Sequence, residues 1–167
     1  MNILVTGKPR SGKSTLVEKI VEEVDSKRGF YTREMRENGE RTGFQIVAYD
    51  GGKYLLASTK ITREHKVGRY NVTLSSLDAE VVKMQKFKNG EFLYLDEIGQ
   101  MQLYSGRFKK LIKNCVRAPN NFLGTLTEVY EDEITKWLKA RKDVQIIRID
   151  ENNRDSQYKK IKEMLNI

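Results

Sequence analysis

The chain has 167 residues and a formal net charge of +8, and 32% of its residues are charged and 38% hydrophobic. This composition excludes a disordered chain and is typical of one globular domain, which we expect to span residues 1–167. No apolar run approaches the roughly 20 residues of a membrane span, so we expect no membrane partner. The only cysteine, Cys115, and a strand at the very N-terminus lead us to expect a cytoplasmic protein without disulfides.

The first predicted element is a short buried strand, Asn2–Thr6, followed by Gly-Lys-Pro-Arg-Ser-Gly-Lys-Ser at 7–14. This stretch matches G-x-x-x-x-G-K-[ST], the pattern of a phosphate-binding loop. Its two glycines let the backbone bend so that successive N–H groups face the phosphates. The apolar residues that follow recur at helical spacing: Leu16, Val17, Ile20, Val21 and Val24. A helix N-terminus therefore adds partial positive charge to the same site.

This loop predicts a nucleotide site with distinct roles for two of its residues. Lys13 is expected to contact the β- and γ-phosphates, and the Ser14 hydroxyl is expected to bind Mg²⁺. We assign catalytic roles to Lys13 and, from a second motif described below, to Glu97. The predicted nucleotide-binding residues are Gly7, Lys8, Pro9, Arg10, Ser11, Gly12, Lys13, Ser14 and Thr15, together with Asp96 and Glu97.

An antiparallel run is predicted next, over about residues 29–58. A strand at 28–35 is followed by Asn38-Gly39, which favours a type I′ hairpin turn, and by strands at 42–49 and 54–58. We interpret this run as an insertion that extends the sheet or covers the nucleotide. Residues 59–73 are predicted to be irregular and polar, and a loop of this kind close to the phosphates is a candidate lid.

A helix is predicted to be capped by Ser75 or Ser76 and to end at Lys86. The second motif follows it as the segment Glu91–Glu97, an apolar strand that ends in Asp96-Glu97. Such a strand delivers a carboxylate to the edge of the sheet where the phosphate loop lies. Asp96 is expected to hold Mg²⁺ together with Ser14, and Glu97 is expected to orient or deprotonate the attacking water.

The C-terminal half alternates helices and strands, which are predicted at 105–117, 122–127, 132–142 and 144–149, with a final helix capped by Asp155. This order is typical of an α/β domain with a largely parallel sheet. The predicted fold class is the three-layer sandwich of P-loop NTPases, whose mainly parallel sheet is widened by the inserted antiparallel hairpin.

The assembled motifs resemble a family of archaeal and bacterial nucleoside-triphosphatases first described from thermophiles, to which a human cancer-related nucleoside triphosphatase belongs. The resemblance covers nearly the whole chain. The segments that carry it lie at 7–16, 29–34, 41–44, 67–72, 96–103 and 151–155. Gly-Phe-Tyr-Thr followed by Asp-Glu-Ile-Gly-x-Met-x-Leu is its most specific part.

The resemblance implies slow, Mg²⁺-dependent hydrolysis of several nucleoside triphosphates to diphosphate and phosphate. Two positions depart from the family pattern. Arg10 stands where the family usually has glycine in the phosphate loop, and Gln102 stands where it usually has glutamate. The second departure removes one carboxylate.

Two alternatives stay open from the sequence: a nucleotide or nucleoside kinase with an unidentified acceptor, and a nucleotide-dependent switch or RNA-associated module. An arginine often assists phosphoryl transfer, and the unranked candidates for this role are Arg10, Arg69 and Arg154. No Asn-Lys-x-Asp signature is present, which favours broad use of ATP, GTP, CTP and UTP, and the turn at 152–154 is a place where a base would lie. We expect a monomer with nucleoside triphosphates as partners, and we do not favour nucleic acid.

Overall fold

The computed structural model describes all residues, 1–167, as nine strands and six helices. The strands are β1 (Asn2–Thr6), β2 (Lys27–Glu37), β3 (Glu40–Ala48), β4 (Lys53–Ser58), β5 (His65–Val67), β6 (Tyr70–Val72), β7 (Phe92–Ile98), β8 (Phe122–Leu126) and β9 (Val144–Arg148). The helices are α1 (Lys13–Glu22), α2 (Leu74–Met84), α3 (Gln100–Leu103), α4 (Gly106–Arg117), α5 (Glu133–Lys139) and α6 (Arg154–Leu165).

All strands belong to one sheet, in the order β5-β6-β4-β3-β2-β7-β8-β1-β9. The five strands from β2 to β9 in this order pair in parallel, whereas β3, β4, β6 and β5 add an antiparallel extension beside β2. This confirms the predicted α/β class and the widening of a parallel sheet. Because β8 lies between β1 and β7, the strand before the phosphate-binding loop and the strand that ends in Asp96-Glu97 are not neighbours.

Helices cover both faces of the sheet, as expected for a parallel sheet that is buried on both sides. In β1, Ile3 and Val5 pack with the buried residues of α1 and α6, whereas Leu4 packs with those of α2, α3, α4 and α5. The alternation of side chains along a strand places these neighbours on opposite faces. No helix has the length and apolar character needed to cross a membrane.

The antiparallel extension reaches further along the chain than the sequence indicates. The predicted Asn38-Gly39 turn is present, with φ values of 48° and 82°, and Glu37 pairs with Glu40 across it. Residues 59–73, however, are not simply irregular, because they contain β5 and β6, and β6 pairs with β4. Strands of three residues carry too little alternation to be recognised, and they form here by completing a sheet edge.

Two helix starts also differ from the predicted ones. Helix α2 begins at Leu74 with Thr73 as its N-cap, before the serines that were expected to cap it, and α6 begins at Arg154 with Asn153 as its N-cap rather than Asp155. The short helix α3 was not predicted. Boundaries of this kind depend on turns held by neighbouring segments, which a local pattern does not contain.

Glu80 on α2 is a buried carboxylate whose solvation is poor. The residue is 1% exposed, neither carboxylate oxygen makes a hydrogen bond, and the nearest cation is Lys83 Nζ at 3.4 Å from Oε2. Burial raises the pKa of Glu80, and the charge of Lys83 only partly opposes this, while Asp50 adds to it and Arg28 opposes it. The folded state therefore binds a proton at Glu80 more readily than the unfolded chain does.

We expect Glu80→Gln to stabilise the protein most at alkaline pH. Because the pKa of Glu80 is higher in the folded state, its contribution to the free energy of unfolding is fully present below its unfolded pKa. This contribution is lost as the pH rises through the folded pKa. Removing the charge should add about 1 kcal/mol to the free energy of unfolding at pH 8 and less at pH 4. Urea unfolding at both pH values measures this, with Glu163→Gln, an exposed glutamate on α6, as control. An equal effect at both pH values would contradict the assignment.

Candidate active site

The phosphate-binding loop lies where β1 meets α1. Gly12 is the N-cap of α1 and has a left-handed backbone (φ 90°), so the loop turns sharply into the helix at Lys13. Lys13 Nζ donates hydrogen bonds to the carbonyl oxygens of Gly7 and Lys8, both at 2.9 Å. The lysine thereby closes the loop on itself. The predicted segment from Gly7 to Thr15 thus consists of a loop and the first residues of α1, which follow each other without interruption.

Arg10 occupies the position where a glycine was expected. Its φ of 64° lies in the left-handed region, which costs a residue with a side chain about 1 kcal/mol relative to glycine. Its side chain is exposed and lines the cleft beside the loop. The departure therefore adds a cation at the rim of the cleft, in a backbone conformation that glycine adopts readily.

Asp96 joins the two sequence motifs. The residue is 1% exposed, and its Oδ1 accepts hydrogen bonds from Ser14 Oγ at 3.0 Å and from Thr125 Oγ1 at 2.6 Å. Its Oδ2 accepts a hydrogen bond from Arg33 Nη1 at 3.3 Å, and Arg33 also forms an ion pair with Glu18 on α1 at 2.8 Å. The carboxylate of the second motif is thus fixed against the hydroxyl of the first.

Neither Thr125 nor Arg33 is among the predicted site residues. Thr125 lies on β8, and it reaches Asp96 because β8 is inserted beside β7. The one available signal was a hydroxyl residue in the otherwise apolar segment Phe122–Leu126, where it is completely buried. Arg33 lies 63 residues from Asp96 in sequence, and its contact arises from the parallel pairing of β2 with β7.

The Asp96–Ser14 pair has the donor set that Mg²⁺ prefers. Both contribute hard oxygen atoms, and Mg²⁺ is usually held by one or two protein oxygens together with substrate phosphates and water. No group of three or more acidic, histidine or cysteine side chains forms a separate metal cage in the structure. Burial raises the pKa of Asp96, whereas Thr125, Ser14 and Arg33 favour its ionised form. A cation at this position would favour the ionised form further.

Glu97 follows Asp96 and lines the cleft together with Lys13. Its side chain is half-buried and accepts no hydrogen bond. Burial and the neighbouring charge of Asp96 raise the pKa of Glu97, while Lys13 opposes this change. A Cβ at position 99 would lie 2.4 Å from Glu97 Oε1, so Gly99 leaves the space that the carboxylate occupies. The group is free to take a proton from a ligand in the cleft.

The cleft has a volume of about 530 Å³ and extends from the phosphate loop to the antiparallel extension. Thr127, just after β8, lines its floor together with Glu97, and Thr32, Glu34, Arg41 and Phe44 line its far side. Gln102 lies in its wall and is 3% exposed, and its Nε2 donates to Thr32 Oγ1 at 2.9 Å. The residue that replaces the expected glutamate therefore ties α3 to β2 without adding a charge.

The three candidate arginines lie in different places. Arg10 lines the cleft beside the loop. Arg69 is on the extension, where it donates to the Tyr70 hydroxyl and to the Arg41 carbonyl, and it does not line the cleft. Arg154 lies against Gly12 at the start of α1 and, like Arg69, does not line the cleft.

Comparisons with known proteins agree with this geometry. A family model described as NTPase matches residues 2–162. The nucleoside-triphosphatase THEP1 of Thermotoga sp. (strain RQ2) is 35% identical over 99% of this chain and 95% of the relative. The protein of the same name from Aquifex aeolicus (strain VF5) is 31% identical over 93% of each chain.

Two solved structures share the whole fold. The crystal structure of THEP1 from the hyperthermophile Aquifex aeolicus superposes with a TM-score of 0.86 at 30% identity, and the match covers 100% of both chains. The solution structure of a human cancer-related nucleoside triphosphatase superposes with a TM-score of 0.83 at 27% identity, over 98% of this chain and 96% of the human chain. The fold, the phosphate-binding loop and these matches together show that the chain belongs to the NTPase family of THEP1-like nucleoside-triphosphatases.

Proposed function

We propose that the protein hydrolyses ATP, GTP, CTP and UTP to the nucleoside diphosphate and phosphate, with Mg²⁺ as cofactor. The observation that carries this proposal is the arrangement of two successive carboxylates. Asp96 accepts a hydrogen bond from Ser14 of the phosphate loop, and Glu97 lines the same cleft as Lys13. The names of the THEP1 relatives support the same reaction.

The strand order supports an attack by water on the γ-phosphate. Because β8 separates β1 from β7, the strand that leads into the loop and the strand that carries Glu97 are two strand spacings apart, roughly 10 Å, which leaves room between their ends for a phosphoryl group and a water. Glu97 takes the proton as the water oxygen bonds to the γ-phosphorus and the bond to the bridging oxygen of the diphosphate breaks. The raised pKa of Glu97 suits a base that works near neutral pH.

Other residues hold the substrate and its charge. The loop N–H groups and Lys13 neutralise the negative charge on the phosphates, and Thr127 offers a hydroxyl to the water or the γ-phosphate. Ser14 and Asp96 would hold Mg²⁺, which when bound offsets charge on the β- and γ-phosphates. We also propose that the protein works as a cytoplasmic monomer, in keeping with the single buried thiol of Cys115.

The Mg²⁺ requirement has a direct test. Phosphate release from the four nucleoside triphosphates should occur at similar rates with Mg²⁺ and fall at least about 100-fold in EDTA, because the metal supplies several kcal/mol of charge stabilisation. Restoring Mg²⁺ should restore the rate. Release that is unaffected by EDTA, or that is confined to one nucleotide, would contradict the proposal.

Phosphoryl transfer to a second molecule is the alternative that a specific observation favours. The cleft continues past Glu97 to the extension, where Phe44, Val67 and Met101 provide apolar walls and Glu34 and Arg41 provide charges. A kinase needs an acceptor site in this position, on the far side of the γ-phosphate. In that case Glu97 would accept the proton of an acceptor hydroxyl rather than of water.

A further inference from the structure

We propose that Arg154 binds the α- and β-phosphates, the part that nucleoside triphosphates and diphosphates share, and holds the nucleotide without assisting the transfer. This inference rests on the proposed function because it concerns the same site. It distinguishes Arg154 from an arginine that stabilises charge on the γ-phosphate.

The side chain of Arg154 lies directly on the phosphate loop. An ideal Cβ built on Gly12 would lie 2.8 Å from Arg154 Cδ and 2.9 Å from Arg154 Nη1. Gly12 also has a φ of 90°, which favours glycine, and its lack of a side chain leaves the space that the Arg154 side chain occupies. The guanidinium charge is therefore placed beside the N–H groups at the start of α1, where the loop attracts anions.

The guanidinium has no strong partner of its own. Its nearest carboxylate is Asp155, at 3.8 Å, and the Asp155 side chain is 96% exposed. The side chain of Arg154 donates no hydrogen bond within the protein. Arg148, nearby in sequence, instead donates to Glu128 at 2.7 Å. The planar, forked donors of Arg154 thus remain available for the oxygen atoms of a phosphate.

A rigid turn before α6 sets the position of Arg154. Asp150 Oδ1 accepts hydrogen bonds from the N–H groups of Asn152 and Asn153, at 2.8 and 3.0 Å. Asn153 Oδ1 accepts from the Asp150 N–H, and its Nδ2 donates to the Arg148 carbonyl. The side chains of Asp150 and Asn153 are therefore used to build the turn. The turn thereby fixes the start of α6, from which the Arg154 side chain extends to Gly12.

The strand order indicates which phosphates lie near Arg154. Glu97 lies on β7 and Arg154 follows β9, and β8 and β1 lie between these strands. Three strand spacings amount to roughly 14 Å, which is more than the γ-phosphate and the attacking group require. Glu97 marks the reacting end of the nucleotide, so Arg154 stands at the opposite end.

The test compares Arg154→Gln with the wild type. We expect the affinities for Mg·ADP and for a non-hydrolysable Mg·ATP analogue, measured by calorimetric titration, to fall by the same factor, about tenfold. KM for ATP, GTP, CTP and UTP should rise by that factor while kcat stays unchanged, because the lost interaction is equal in the ground and transition states. Arg154→Lys should recover part of the affinity.

Lys160→Gln is the matched control, since it removes one exposed positive charge from the same helix. We expect it to leave affinity and KM unchanged, and thermal unfolding checks that both variants fold. A lower kcat with unchanged ADP affinity would overturn the proposal, as would a loss confined to one base or no loss at all. The ADP titration does not depend on turnover. A wild type that releases no phosphate would therefore refute hydrolysis without deciding this inference.

Discussion

Glu97→Gln should reduce kcat for phosphate release by about 1,000-fold, which is within the range that general bases contribute. The amide keeps the size and hydrogen-bonding shape of the side chain but cannot take a proton from water. Nucleotide binding should be retained or become slightly tighter, because the change removes a negative charge beside Asp96 and near the phosphates. Steady-state phosphate release together with titration of a non-hydrolysable ATP analogue measures both effects.

Glu34→Gln is the control for this variant, because Glu34 lines the same cleft but forms ion pairs with Arg36 and Arg41. We expect its kcat to stay close to that of the wild type. If Glu97→Gln kept full activity, or if Glu34→Gln lost as much activity, the assigned base would be wrong.

Lys13→Met should abolish tight nucleotide binding. The substitution keeps the length of the side chain and removes the charge that we assign to the β- and γ-phosphates. Charge-assisted hydrogen bonds contribute about 1.5–3 kcal/mol each, so the affinity for a non-hydrolysable Mg·ATP analogue should fall about 100-fold, and kcat should fall as well. Calorimetric titration and phosphate release measure the two losses.

Lys8→Met provides the comparison within the same loop. The Lys8 side chain is exposed, and only the carbonyl oxygen of Lys8 contacts Lys13 Nζ. The conformation of the loop therefore does not depend on the Lys8 side chain. We expect its affinity to fall no more than a few-fold. Equal losses for Lys8→Met and Lys13→Met would mean that the effect comes from general charge rather than from the position of Lys13.

The parts of the site that the sequence predicts are those encoded by a continuous segment. The loop from Gly7 to Ser14 has fixed spacing and lies between a strand and a helix, so its conformation follows from local pattern. The Asp96-Glu97 pair follows an apolar strand and was located for the same reason. The Asn38-Gly39 turn was also recognised, since both residues favour a positive φ.

The parts that the sequence does not predict depend on which strands become neighbours. Thr125 and Arg33 contact Asp96 because β8 and β2 flank β7, and nothing within either segment specifies that order. The strands β5 and β6 form at the edge of the extension through pairing with β4. The contact of Arg154 with Gly12 likewise joins residues more than a hundred positions apart. Such contacts are properties of the assembled sheet.

The most direct test of hydrolysis is to follow the γ-phosphoryl group of labelled ATP in the presence of Mg²⁺. The reaction is run alone and with a panel of nucleosides and nucleoside monophosphates, and the labelled products are separated. We predict that all label appears as inorganic phosphate, one per ADP formed, at a rate that the added compounds do not change. Label transferred to one of them, with a matching loss of free phosphate, would contradict hydrolysis and identify the protein as a kinase.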